Sequence, residues 1–544
     1  MTRLIELILL GSLLVVGHAH GAAPDVKSLN PPGVQRGQSV EVTVGGNLGT
    51  RPVKAWCDRA GVAISIPEKG SKVTLTAAPS AQPGLCWIRF HNAEGASSLR
   101  PFVIGTLPDV AEQEPNDRPG EAQQLPSTQV VVNGVLAKAG DADLYAVPLK
   151  AGQTLVASLA AHRVFGSPMD GVLQVVSPEG FVLEQNDDAR DFDPQIVFTA
   201  RRDGVYVVRA FAFPATPNST IRLAGGADYI YRLTLTTGAF ASHVVPMSIT
   251  RGSTTAVRLS GWNIPSESRE IPVALDADAN RALVADTVLG NAIELPVVEH
   301  TSLGEDESAA KDGPQAISVP SSVTGRIDAT DDVDGFVFPA KKGEKLTFRV
   351  ESRSLGFPLD AVLELFDAQR KSLARVDDPS RGAFDAVLDY TVKADGEHRI
   401  VVSDLYGHAG PRHVYLLTAE LQVPDFVLTA AMDKFVLRAG EPLEILVTVT
   451  RRRGFAEKIG ITAEGLPTGV SVAVVESVVK QKSEKSVELV LTAEKPVAVD
   501  GPFAIVGRSS GAGGSTVRRA KAPVAGLTEK TSALWLTVGD GGKK

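Results

Sequence analysis

The chain has 544 residues, 6% aromatics, 51 glycines, 34 prolines and a formal net charge of −8. Its length accommodates roughly three to five domains, each large enough for its own core, and the Gly and Pro density reads as many short strands joined by turns. The negative balance argues against nucleic acid as a partner, so Arg451-Arg452-Arg453 and Arg518-Arg519 are expected as solvated patches at strand ends.

In chain order, residues 1–22 read as a signal peptide: Arg3, an apolar run from Leu4 to Val16, then a small-residue cleavage zone through Ala22-Ala23. No cysteine sits in that zone, and no later stretch reaches the roughly 18 consecutive apolar residues of a membrane helix. A soluble, exported product with no transmembrane segment is expected, in the periplasm, at the cell surface or secreted. Residues 25–107 form the next unit, immunoglobulin-like in its strands (Val40 to Val44). It holds both cysteines, Cys57 and Cys86, beside Trp56 and Trp87. An even cysteine count in an exported chain predicts a Cys57–Cys86 disulfide, worth roughly 3–4 kcal/mol on the chain-entropy model. Two buried thiols are the alternative.

Residues 134–155 recur as 325–346. Gly134, Asp141, Asp143, Pro148, Lys150 and Leu155 match Gly325, Asp332, Asp334, Pro339, Lys341 and Leu346. The register continues through Asp187-Asp188 with Asp377-Asp378 and Asp203-Gly204 with Asp395-Gly396. Two versions of one large domain are therefore expected, at 108–238 and 299–421. A fainter likeness relates Pro31 to Gly46 with Pro246 to Gly261, so a small β module, shortened, is expected at 240–298. Residues 424–538 read as an immunoglobulin-like module and 539–544 as a disordered tail. The class is all-β: tandem β-sandwiches, with no long amphipathic helix after the leader.

The order Glu112-Gln113-Glu114-Pro115-Asn116-Asp117, Gly140-Asp141-Ala142-Asp143, Ala151-Gly152, Asn186-Asp187-Asp188 and Asp203-Gly204-Val205-Tyr206 resembles the bacterial pre-peptidase C-terminal domain. The resemblance covers both large repeats and implies jelly-roll-like sandwiches of the kind appended to secreted peptidases. It also implies calcium, held by acidic and amide residues of the lead segment and of the Asp-x-Asp turn. Carried onto this chain, the ligands are Glu112, Glu114, Asn116, Asp117, Asp141 and Asp143. The chemistry is sensible by itself, because a hard cation takes six to eight oxygens and alternate residues of an extended segment share a side. The plainer reading makes these residues an interdomain turn and a strand-start loop. Repeat two keeps Glu305, Glu307, Asp332 and Asp334 but has Ala309 and Ala310 where Asn116 and Asp117 stand, and His398 where Tyr206 stands. Calcium is expected to stabilise this repeat much less than the first, or not at all.

Catalytic constellations are sparse, and an enzyme is not expected. Gly507-Arg508-Ser509-Ser510-Gly511 matches the nucleophile-elbow spacing, yet no histidine follows His413, and the segment reads as a glycine-rich loop. His408 and His413 flank a turn. Adjacent carboxylates such as Asp187-Asp188 point to opposite strand faces, which suits turns better than glycoside hydrolysis. Asn218-Ser219-Thr220 is a sequon only in a host that uses it. The expected function is non-catalytic binding or scaffolding, with an extracellular polymer or protein as ligand. Two alternatives are an accessory, substrate-capture component of a secreted peptidase system and an unrecognised hydrolase.

Overall fold

The computed structural model describes residues 21–217, 219, 222–273, 281–286, 288–306, 313–378, 380, 384–495, 500–511 and 514–539. Nearly all of the leader, the sequon asparagine Asn218, Glu307, Ala309, Ala310 and residues 540–544 lie outside them.

Alternation makes the strands. Lys72–Ala77 and Ser486–Ala493 place every second side chain in a core and the intervening ones in solvent. Among the described residues the only α-helix is one turn, His162–Phe165, whose backbone amides are gathered by the buried Asp193 carboxylate at 2.7–3.3 Å. No helix among them is long and apolar enough to cross a membrane.

The sheets pair face to face around separate cores, giving tandem β-sandwiches. The first, small one sets Asp25–Asn30, Ser39–Asn47, Lys72–Ala77 and Val62–Ser65 against Gly33–Gln35, Arg100–Gly105, Gly84–Asn92 and Lys54–Cys57. A large sandwich follows. One of its sheets runs Asp109–Ala111, Gln129–Val135, Ile230–Thr236, Thr154–Ala160, Gln195–Thr199; the other runs Gln123–Gln124, Asp143–Leu149, Gly204–Pro214, Met169–Val176, Val182–Asn186. The second large sandwich repeats this order strand for strand, from Thr301–Gly304 to Val387–Thr391 and from Gln315–Ala316 to Ser372–Val376. Between the two lies a small module of two three-stranded sheets, and a four- and a six-stranded sheet close the chain.

The matched glycines have a steric cause. A Cβ on Gly134 would lie 2.3 Å from the Tyr231 ring, and one on Gly325 would lie 2.2 Å from the Tyr415 hydroxyl. The first and last sandwiches also meet. Arg89, wholly buried, pairs with Asp433 at 2.8 Å and lies over Trp535.

Three expectations are corrected. The cysteines are free thiols rather than a disulfide. Cys57 stands opposite Ile88 in the strand register, which leaves Cys86 on the diagonal rather than directly across the pair. The Cys86 thiol instead donates to the Phe102 carbonyl at 3.2 Å, and a hydrogen bond with it holds the Cys57 thiol low. The stretch Gly507–Gly511 is not a loop but part of the strand Gly501–Gly511, where Ser509 is buried and donates to the Lys458 carbonyl. Arg451 is no solvated patch, because its guanidinium donates to the Glu457 and Ser477 carbonyls at 2.6 and 2.9 Å and ties a turn. The exchange of Tyr206 for His398 does alter a contact. Tyr206 donates to the Arg202 carbonyl, whereas His398 stacks on Phe338.

Candidate metal centre

The strand Asp109–Ala111 pairs in parallel with Val131–Asn133 and ends before the acidic segment begins. Residues 112–117 are therefore an irregular loop rather than the extended strand that the alternation suggested. Gln123 shapes it: its carboxamide donates to the Ala111 carbonyl and accepts from the Gln113 amide, both at 2.9 Å. Glu112 is pinned at Oε2 by the Val135 amide at 2.6 Å, and the Glu114 carboxylate accepts from the Asn116 amide at 2.9 Å. The loop folds back over the start of the strand Asp143–Leu149, bringing Asp141 and Asp143 beneath it.

Five of the six residues that the resemblance suggested converge here, with Asn116 buried in the same loop. Glu112, Glu114 and Asp143 form one group and Glu114, Asp117 and Asp141 another, with oxygens in each group within 4.8 Å of one another. Glu114 belongs to both. Asn116, Asp141 and Asp143 are fully buried. Several buried polar atoms have no hydrogen-bond partner: both amide atoms of Asn116 and one oxygen each of Asp117, Asp141 and Asp143, of which the Asp141 oxygen lies 3.5 Å from the Lys138 ammonium. Buried polar groups are ordinarily satisfied, so this concentration of atoms without hydrogen bonds leaves room for a cationic partner.

The electrostatics agree. Burial, reinforced by the charges of Glu114 and Asp141, pushes Glu112 up to about 7. Burial and the Glu112 charge push Asp143 up to about 9. Burial and the bond to Asp117 likewise raise Asp141. Asp117, despite partial desolvation, is held low by hydrogen bonds with Asp141 and Lys138. The Lys138 ammonium reaches Asp117 and Asp141 at 3.4 and 3.5 Å from an exposed position. Carboxylates crowded this way resist ionising without a cation. An all-oxygen donor set with two buried aspartates fits a hard divalent ion better than a thiophilic one.

Two supporting tyrosines escape a reading confined to acidic residues. Tyr231 donates to the second oxygen of Asp143 and is itself hydrogen-bonded to Tyr145. Extending the repeat comparison to Tyr415, which donates to Asp334 at 2.7 Å, would have found Tyr231.

The second large sandwich keeps the frame. Glu305 accepts from the Arg326 amide at 3.0 Å as Glu112 does from Val135, Gln315 clamps the Asp306 amide as Gln123 clamps Gln113, and Asp332 accepts from the Asp328 amide. Burial pushes Asp334 up to about 6, less far than Asp143. Among the described residues both acidic groups belong to the first sandwich. Asp187-Asp188, His408 and His413 join neither; Asp188 closes a turn on Asp187.

No family model matches the chain, and neither does any curated protein. Among solved structures, the pre-peptidase C-terminal domain of a Bacillus anthracis collagenase is 14% identical over 20% of this chain and 95% of its own, with a TM-score of 0.16. A periplasmic inhibitor of g-type lysozyme from Aeromonas hydrophila is 16% identical over 20% of this chain and all of its own, at 0.15. The SGBP-B protein of a Bacteroides ovatus mixed-linkage glucan utilization locus, solved with a heptasaccharide, is 10% identical over 72% of each chain, at 0.13. At such scores no argument about this chain rests on them.

Proposed function

We propose that this chain is an exported, non-catalytic binding and scaffold protein whose sandwiches recognise an extracellular polymer or protein, with calcium stiffening the first large sandwich. The observation that carries the reading is the convergence of Glu112, Glu114, Asp117, Asp141 and Asp143 beside the buried Asn116, with oxygens of the three aspartates and of Asn116 lacking hydrogen bonds, at the joint where the chain enters that sandwich. An ion there would tie the entering segment to the turn before Asp143 and hold the preceding module at a fixed angle. In this reading the loop carboxylates supply charge, Asn116 a neutral oxygen, and Tyr231, which donates to Asp143, orients that carboxylate. Calcium's role here would be structural, since its binding free energy adds to the stability of the folded state.

The resemblance of residues 108–238 and 299–421 to pre-peptidase C-terminal domains supports the same reading, because such sandwiches are appended modules. Recognition is expected on loops and sheet faces held rigid by the cores. The test is retention of the purified full chain on immobilised collagen, cellulose and peptidoglycan, with calcium and with chelator, alongside assays for release of peptide or sugar. Calcium-dependent retention without product release is the expected result. Turnover of any of these polymers would replace scaffolding with hydrolysis.

A further inference from the structure

A second site lies in the cleft between the second small module and the second large sandwich. The strand Phe240–Val245 pairs with Thr255–Trp262, and a β-bulge interrupts the pairing: Ala241 faces Gly261, His243 faces Ser260, and Ser242 is the extra residue. Bulges re-aim side chains that would otherwise alternate. Here Ser242 and His243 both line the same cleft, of about 480 Å3. They are 8% and 5% exposed, and the Ser242 hydroxyl and His243 Nδ1 have no hydrogen-bond partner. Two adjacent orphan polar atoms, each nine-tenths buried, want a polar ligand.

The walls say which kind. Arg258, Arg269, Arg326 and the half-buried Trp262 line the cleft, against the single carboxylate of Glu305. Arg326 is engaged by Asp328, and the Glu305 carboxylate by the Arg326 amide. Arg258 and Arg269 are exposed and make no ion pair among the described residues. Burial, with the charges of Arg326 and Arg258 next, drives His243 down to about 4, so its ring is neutral and the positive field of the cleft comes from the arginines. A cleft of this volume lies within the range of small-molecule sites, about 300–1,000 Å3.

The first small module provides an internal comparison. It has the same bulge, between Val26 and Ser28, in the strand Asp25–Asn30, so Lys27, Ser28 and Thr43 occupy the places of Ser242, His243 and Arg258. Its own cleft against the first large sandwich is lined by Glu41, Asp109 and Glu112 with Lys72. The packing of a small module on a large sandwich does not by itself create the arginine, serine and histidine group.

We propose that this cleft binds a carboxylated sugar unit, a hexuronate, with Arg258 and Arg269 on the carboxylate, Trp262 against the pyranose face, and Ser242 and His243 on a ring hydroxyl. Arginine suits a planar carboxylate, and an aromatic face suits a sugar ring. The inference deepens the reading of the chain as a binding protein by naming a ligand class, and the two can fail separately.

Tryptophan fluorescence and calorimetry of the full chain are followed during titration with galacturonate, with trigalacturonate and with neutral maltotriose. Saturable binding of one or both uronates, and none of maltotriose, is expected; the monomer and trimer arms tell a free sugar acid from a polymer unit. Arg258→Ala and Arg269→Ala should each weaken it about tenfold or more, while Arg202→Ala, on an exposed pair elsewhere, leaves it unchanged. No saturable binding of either uronate at about 10 mM, or equal binding by the Arg258→Ala/Arg269→Ala double variant with an unaltered circular dichroism spectrum, overturns the assignment. Should the uronates fail while the chain still binds a neutral glycan or one of the immobilised polymers, only this site falls; should nothing bind, the binding reading falls with it.

Discussion

Replacing Asp141 with asparagine distinguishes a metal centre from a hydrogen-bonded turn. The side chain is fully buried; one oxygen accepts from the Ala137 amide at 2.5 Å and the other has no hydrogen-bond partner. Asparagine can still accept from that amide, so the turn survives and what is lost is the charge at the other oxygen, with its 3.5 Å contact to the exposed Lys138 ammonium. In chelator, Asp141→Asn should be as stable as the parent or slightly more so, because a carboxylate held high by burial has been removed. In calcium at a hundred times Kd, the parent gains about 2.7 kcal/mol, which moves the midpoint of a domain of this size by roughly 10 °C. The variant, short of one anionic ligand, should lose most of that gain. The calcium-free protein has a further signature. Glu112 is raised from 4.5 to about 7 and Asp143 from 3.8 to about 9, so between roughly pH 4 and 9 the folded chain holds protons that the unfolded chain has released. Stability of the calcium-free sandwich therefore falls as pH rises through that window, and calcium binding near pH 7.5 releases protons. Scanning calorimetry of the full chain, in calcium and in EGTA, reads both effects. Identical midpoints in the two media for the parent, with no pH trend, would show that these carboxylates only close a turn.

Tyr231→Phe removes the hydroxyl that orients Asp143, and calorimetric titration should show calcium affinity lowered about tenfold to a hundredfold, as for other outer-shell partners. Gly134→Ala and Gly325→Ala drive a Cβ into Tyr231 and Tyr415, and urea unfolding should register losses of about 1–3 kcal/mol each. Asp433→Ala strands the buried Arg89, which should lower stability by about 3–5 kcal/mol; the exposed Lys72–Glu41 pair should contribute about 0–1 kcal/mol when tested the same way. Thiol titration of the denatured, unreduced protein should find both Cys57 and Cys86 reactive; neither reacting would restore the disulfide.

Much of the architecture was legible in the residues, because strand alternation and repeat spacing are local quantities. The β class follows from period-two patterns such as that of Lys72–Ala77, and the matching order of the two large sandwiches from motifs at nearly constant offset. The resemblance pointed to the oxygen-bearing residues of the candidate centre but not to their conformation: Glu112 to Asp117 form a loop clamped by Gln123, a contact spanning ten residues that alternation cannot anticipate. Register decided what counting could not. Two cysteines in an exported chain suggest a bridge, but the pairing of Cys57 with Ile88 sets Cys86 on the diagonal. Ser242 and His243 are ordinary neighbours in sequence until a bulge turns both into one cleft, where they meet arginines from the next strand and the next sandwich. Composition and periodicity fix which face a residue prefers; which residues then share a site depends on strand register and module packing, and both are set by contacts between residues far apart in the chain.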